Sequence, residues 1–277
     1  MLFTRVVTAV VLLALLIASL WAGRPIYFQS VLIIFGVVAA WEWYRLVGLG
    51  RFQAFIAGFV TLAAAMALQQ FGGDKALLAI DVAAVIVWVA VVLPTLWGGI
   101  LPPRKPDSQT ALFGAIILIA ALLAANYAYL KYGVVFLVSL LAVVFIADIA
   151  AYFVGKSIGK RKLAPSISPG KSWEGAIGGV VAVMIYGILC VVIDNPYTSK
   201  SFPSVLADAW GLPLAVFMLG VLAAASVVGD LFESMLKRRA GVKDSGKVLP
   251  GHGGVLDRLD AQLPVLPLAT LLIWGVG

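Results

Sequence analysis

Apolar runs close to twenty residues long, separated by short polar breaks, set the pattern of this 277-residue chain. An α-helix rises 1.5 Å per residue, so about 20 apolar residues cross the hydrocarbon of a bilayer. Nine segments meet that length: residues 5–23, 26–46, 52–71, 76–96, 110–130, 133–153, 174–194, 212–236 and 262–277. The breaks carry physical punctuation. Arg24-Pro25, Gly48-Leu49-Gly50-Arg51, Gly72-Gly73-Asp74-Lys75 and the run from Leu101 to Pro106 stop helices or require water. Arg5 ahead of the first run suggests a signal sequence. The run is long for one and no secreted domain follows, so it reads as a retained helix.

Composition turns the pattern into a class. Apolar residues make up 62% and charged residues 12%, about half the ~25% charged share of soluble domains. Mean hydropathy is +1.06. No soluble domain of this size has the interior to hide that much apolar surface. The expected fold is therefore all-α: a polytopic integral membrane protein of about nine transmembrane helices. About five fall in an N-terminal region, residues 1–131, and the rest in a C-terminal region, residues 132–277. The net charge of +7 does not argue for nucleic acid, because no soluble basic domain exists to carry a duplex. Cys190, the single cysteine, forms neither an intramolecular disulfide nor a metal cluster and reads as a small core residue.

Basic residues choose the orientation. With the N-terminus cytoplasmic, 16 of the 20 Lys and Arg fall on the cytoplasmic side, and only Arg24, Lys75, Lys131 and Lys200 lie outside. That places the C-terminus outside. Two large cytoplasmic loops, 154–173 and 237–261, hold most of the cations.

Ionisable groups within apolar spans are costly, at least ~2.5–3.5 kcal/mol at mid-bilayer, so each needs a reason. There are five: Glu42, Asp81, Asp148, Asp230 and Glu233. Asp81 reads as interfacial, near the outer end of its helix. Glu42 is followed at i+3 by Arg45, which suggests a local ion pair. Asp148 lies about a turn and a half from the cytoplasmic end of its span. Asp230 and Glu233 share a face that Lys237 continues. These acids either tie helices together or face a site.

The first polar loop contains Gly170-Lys171-Ser172. It is not a phosphate loop of the nucleotide-binding kind, because Pro165 stands where that motif needs glycine and a membrane helix precedes it. Its lysine and hydroxyls at a helix start still suit an anion, or a lipid headgroup. In the second loop, Asp244, Asp257 and Asp260 alternate with six Lys or Arg between Lys237 and Arg258. Asp257 and Asp260, at i and i+3, suit a hard divalent cation, and nearby lysines would neutralise a polyphosphate. His252 sits between glycines that permit close backbone approach to a ligand. Zinc is not expected, with no second histidine and no paired cysteine.

The stretch Ser234-Met235-Leu236-Lys237-Arg238, four residues, Lys243-Asp244-Ser245-Gly246, two residues, Leu249-Pro250-Gly251-His252-Gly253-Gly254-Val255-Leu256-Asp257-Arg258-Leu259-Asp260 resembles the pattern of the phosphatidate cytidylyltransferase (CDP-diacylglycerol synthase) family. Every fixed position of that pattern is present. Asp148, Tyr152, Gly155, Gly159-Lys160 and Ser168-Pro169 through Lys171-Ser172, Glu174 and Gly175 are similar to the family too, so the resemblance spans at least residues 148–260. It implies transfer of the cytidylyl group of CTP to phosphatidic acid with Mg²⁺, a second cation being an option. It implies membrane lipids as surroundings and the inner membrane of a bacterium as location; a homodimer is left open.

Carried onto this sequence, the resemblance implies Asp230, Lys237, Asp244, Asp257 and Asp260 as catalytic residues. Asp148, Asp230, Asp257 and Asp260 become the metal ligands, and Asp148 alternatively orients Tyr152. Lys160, Ser168, Lys171, Ser172, Glu174, Arg238, Lys243, His252, Gly253, Gly254 and Arg258 become substrate contacts. A secondary transporter would place its acids at mid-membrane in two matched halves, and no inverted repeat is visible. A polyprenol kinase or a CDP-archaeol synthase would not call for the long match from Ser234 to Asp260. A CDP-alcohol phosphotransferase would need an Asp-Gly-x-x-Ala-Arg pattern that is absent.

Overall fold

The computed structural model describes residues 2–98, 107–194 and 200–275, with side chains left aside for residues 2–6 and 9. The expected break from Leu101 to Pro106 lies outside the described residues. Helix α1 (Leu2–Trp21) meets α2 (Pro25–Leu46) across Gly23, and Pro25 starts α2, where a missing N–H costs nothing. Six helical stretches among the described residues are long and apolar enough to cross a membrane: Pro25–Leu46, Arg51–Gly98, Ser108–Tyr132, Val134–Ile158, Trp173–Ile193 and Leu212–Arg239.

The stretch Arg51–Gly98 would be about 72 Å long if straight, more than twice the hydrocarbon thickness. It is not straight. Trp43 and Trp88 both meet Phe232, at 6.0 and 5.8 Å between ring centroids, so the chain leaves that level after Arg51 and returns by Trp88. The reversal falls at Gly73, whose φ of 62° is the left-handed region glycine enters freely. It separates α3 (Arg51–Ala67) and its wide closing turn from α4 (Gly73–Val87) and α5 (Leu93–Gly98). α3 packs on α2, and α4 on α6 (Ser108–Tyr132) and α12 (Gln262–Leu272).

Two expectations change. α12 has 11 residues, about 16 Å or half the hydrocarbon, where the sequence suggested a span over 262–277; residues 276–277 lie outside the described range. α7 (Val134–Ile158) and α10 (Leu212–Arg239) run past the expected ends at 153 and 236, so Lys156, Lys237, Arg238 and Arg239 are helical. Cations in a last turn complement the helix dipole and need no loop to reach water. The fold is all-α as expected, and the first loop adds a two-stranded antiparallel hairpin, β1 (Lys162–Ala164) with β2 (Ser168–Ser172). Ile167, buried in its turn, pins it to the bundle.

Helix α8 (Trp173–Ile193) packs tightly on α7 because small residues face backbone. A Cβ on Gly179 would lie 2.7 Å from the Ala147 carbonyl oxygen, and one on Gly175 would lie 2.7 Å from that of Ala151. Replacing Gly179 by valine should therefore force the helices apart and cost about 1–3 kcal/mol. Thermal unfolding in detergent measures this, and a variant as stable as the parent would refute such close packing.

One core runs through both halves, from Leu20 to Ile273. Its ends are distinct. Thr8 Oγ1 donates to the Pro250 carbonyl (2.9 Å), the Asp107 N–H to that of Val47 (3.2 Å), and Arg239 pairs with Asp107 at 2.8 Å. At the other end, Trp210 of the short α9 (Phe202–Trp210) donates to the Leu272 carbonyl (2.8 Å), and Tyr127 stacks on Trp274. The two polar loops share the first end.

Candidate functional site

The second loop is folded around one carboxylate. Gly241, with φ of 71°, turns the chain out of α10, and a bridge between Leu249 and Gly253 closes a tight turn over Pro250 and Gly251. Asp257, on the single helical turn α11 (Leu256–Leu259), gathers what remains. Its Oδ2 accepts from the Ser245 N–H (3.0 Å), the Ser245 hydroxyl (3.0 Å) and the Gly254 N–H (2.8 Å), and its Oδ1 from Lys237 Nζ (2.6 Å). Burial alone would raise the Asp257 pKa, but Lys237 and the backbone donors outweigh it and hold the carboxyl below its usual range. A Cβ on Gly253 would come within 2.7 Å of Asp257 Oδ2, and its φ is 83°. Gly253 and Gly254 thus admit a carboxylate of the protein itself.

Around Asp257 the charges interlock. Lys237 also pairs with Glu233, one turn back on α10, and both sit in an interior with side-chain exposures of 12% and 1%. Glu233 faces Asp257 and Asp260 as well. Asp260 is buried, accepts from the neighbouring Ala261 N–H at 2.8 Å, and is held above the usual carboxylate range by burial and by Asp230. Gly229 on α10 makes room for this approach, since any side chain there would strike the Asp260 carbonyl and the Pro264 ring. Asp230 pairs with Lys171 of the hairpin at 2.6 Å. Asp148 opens on the flank of the bundle and faces Asp230, Lys171 and Arg258. It lies ten residues before the end of α7, about 15 Å along the helix from that end.

The hairpin brings Lys171 there. Ser172 caps α8 by accepting from the Gly175 N–H at 3.2 Å, and Glu174 turns back to accept from the N–H groups of Lys160 (3.1 Å) and Arg161 (3.2 Å). Arg238 donates from Nε to the Ile167 carbonyl at 3.3 Å and ties the hairpin to α10. Ser172 and Glu174 therefore have partners within the protein. Lys160, Lys243, Asp244 and Arg258 are exposed; Ser168 and His252 are half-buried. Among the sequence candidates, Asp148, Lys171, Asp230, Lys237, Asp257, Arg258 and Asp260 come together as one cluster with Glu233.

Two acids correct the sequence reading. Glu42 is not a local partner of Arg45. It is fully buried, and its Oε2 accepts from the Leu256 N–H (2.8 Å) and the Ser245 hydroxyl (3.1 Å) more than 200 positions away, while Arg45 donates to the Leu49 carbonyl. Asp81, expected at the membrane interface, is buried at 3% exposure against Thr270 of α12, so it faces protein and not headgroups. The Asp107–Arg239 pair was missed too. Burial works against the Asp107 charge, but bonds from Thr110 and Arg239 prevail and bring its pKa to about 2. The only sequence signal for Glu42 was an acid in an apolar run; nothing marked its partner.

Among the described residues no group of three or more His, Cys, Asp or Glu is arranged to hold a metal ion as it stands. The donor chemistry nevertheless fits a hard cation. Five carboxylates (Asp148, Asp230, Glu233, Asp257, Asp260) meet three cations (Lys171, Lys237, Arg258). Oε2 of the buried Glu233 is taken by Lys237, and its Oε1 has no hydrogen-bond partner among the described residues. All the donors are oxygens, as Mg²⁺ prefers.

Residues 3–275 match the model of the cytidylyltransferase family. The phosphatidate cytidylyltransferase of Pseudomonas aeruginosa is 37% identical, covering 100% of this chain and 98% of its own. That of Haemophilus influenzae is 31% identical over 96% of each chain, and that of Brucella suis 34% identical over 98% of this chain and 92% of its own.

Proposed function

Because the chain belongs to the cytidylyltransferase family, we propose that it transfers the cytidylyl group of CTP to phosphatidic acid, giving CDP-diacylglycerol and pyrophosphate. One observation carries the reading: lysines and carboxylates from α10, the hairpin and the second loop meet at one end of a membrane bundle, and Asp148 opens that cluster on the flank. A diacyl substrate stays in lipid and CTP stays in water. A reaction between them needs a polar site reachable from both.

In the reaction, a phosphate oxygen of phosphatidic acid attacks the α-phosphorus of CTP. The bond to the β-phosphate bridging oxygen breaks, and pyrophosphate leaves with that electron pair. The nucleophile is already an anion at neutral pH, so positioning and charge neutralisation matter more than a strong base. Lys171, Arg238, Lys243 and Arg258 contact phosphates, with Lys160, Ser168 and His252 at the rim. Lys237 pairs with Asp257 and Glu233 and orders both. Ser172, Glu174, Gly253 and Gly254 shape the two loops, and Asp244 supports the second. Asp148, Asp230, Asp260 and Oδ1 of Asp257 would hold Mg²⁺, which when bound lowers the repulsion between two anionic substrates.

Purified protein in detergent, given radiolabelled CTP and phosphatidic acid, should release pyrophosphate and form a labelled lipid. EDTA should abolish turnover, and a zinc-selective chelator should leave it intact. Labelled lipid formed equally well in EDTA would remove the metal from this reading; none formed with any divalent ion would remove the reaction.

We further propose nine passes, the ninth completed by the chain that leads from the second loop through the short α12 to the level of Trp210, with the loops cytoplasmic, the C-terminus outside and the chain in the inner membrane of a bacterium. In a Cys190→Ser background, cysteines at the exposed positions Lys160 and Lys247 should label only from the cytoplasmic face, and one at Lys200 only from outside. Labelling of Lys160 from outside would invert the topology.

A further inference from the structure

Glu42 comes from α2, far in sequence from every loop residue of the cluster, yet it is completely buried against the second loop. Its Oε2 receives the Leu256 N–H at 2.8 Å and the Ser245 hydroxyl at 3.1 Å. The one proton of that hydroxyl is shared with Asp257 Oδ2, which lies 3.0 Å from Ser245 Oγ and also accepts the Ser245 N–H at 3.0 Å. The loop bends tightly over Glu42: a side chain on Gly246 or Gly254 would collide with its carboxylate. A carboxylate, a shared hydroxyl and a second carboxylate thus run in series from α2 to the cluster.

From this we infer that Glu42 is a positioning residue: by anchoring Ser245 and the start of α11 it fixes the orientation of Asp257, so that Oδ2 is consumed by the loop and Oδ1 is turned to Lys237 and the reacting groups. The inference rests on the proposed reaction only for its kinetic readout. Glu42 touches no reacting atom in this arrangement. Its contribution is acceptor geometry, because the groups it meets at hydrogen-bond distance are a hydroxyl and a backbone N–H rather than a cation. Groups that orient a site residue from behind in this way commonly cost about 10–100-fold when removed.

The test pairs kinetics with hydrogen exchange in the detergent-purified, full-length protein. Glu42→Ala should lower kcat by about 10–100-fold. Glu42→Gln, which keeps an oxygen at the accepting position, should stay within about threefold of the parent. Amide exchange at Ser245, Gly254 and Leu256 should rise by about tenfold in Glu42→Ala, with exchange in α7 and α8 unchanged. Glu42→Ala and Ser245→Ala should be non-additive when combined. The inference is overturned if the two substitutions multiply, if exchange rises throughout the protein rather than in the loop, or if Glu42→Gln is as impaired as Glu42→Ala. If wild-type protein turns over no CTP, the proposed reaction fails by itself, and local exchange still decides whether Glu42 holds the loop.

Discussion

Replacing Asp260 by asparagine is expected to cost at least ~10²-fold in turnover, equivalent to about 2.7 kcal/mol of transition-state stabilisation, while leaving the protein at least as stable as the parent. The two effects diverge because of where Asp260 sits. It is buried and faces Asp230, so its charge is opposed by burial and by a like charge. Asparagine removes that repulsion and can still accept from Ala261. If the carboxylate helped pack helices, removing it would lower stability; if it holds a cation or positions substrate, removal harms turnover alone. Asp257→Asn should lose turnover to the same degree. One end of its amide would present N–H either to Lys237 or to the donors of Ser245 and Gly254, so some loss of loop order accompanies it. Turnover within tenfold of the parent in both variants, with stability lowered, would move the chemistry elsewhere.

Lys237→Met is expected to fail in both respects. Lys237 balances two carboxylates that have 1% and 6% side-chain exposure, Glu233 and Asp257. Removing one partner from a buried ionic group typically costs about 3–5 kcal/mol, because the remaining charge is left without compensation. Turnover should fall by about 10³-fold as Asp257 loses its partner at Oδ1. A second substitution separates the causes. Glu233→Gln on top of Lys237→Met restores charge balance and should recover most of the stability in thermal unfolding, yet not the turnover. If the double variant recovers both, Lys237 serves only to neutralise Glu233 and has no part in the chemistry.

The polar loops were legible because chemistry dense in glycine, lysine and aspartate stands out from apolar spans. Asp230, Lys237, Asp257 and Asp260 stand out from the sequence alone, and the structure brings them within one cluster. The partner of Glu42 was not legible. Its nearest cation in sequence, Arg45, suggested a pair that the tertiary structure replaces with Ser245 and Leu256. Asp81 misled for the same reason: position along a helix gives depth but not the facing surface, and α12 covers it.

By itself the sequence determined the solvent, the helical class, the approximate ends of most membrane helices and the family, since each follows from local composition or from a contiguous motif. Only the tertiary structure decided which oxygen of Asp257 the loop takes up and which one Lys237 meets, why Gly229, Gly253 and Gly254 must be small, that the stretch Arg51–Gly98 doubles back, and that Lys171 reaches Asp230 on a hairpin. These depend on atoms distant along the chain being forced together, because a buried charge must find its partner wherever the packed helices place one.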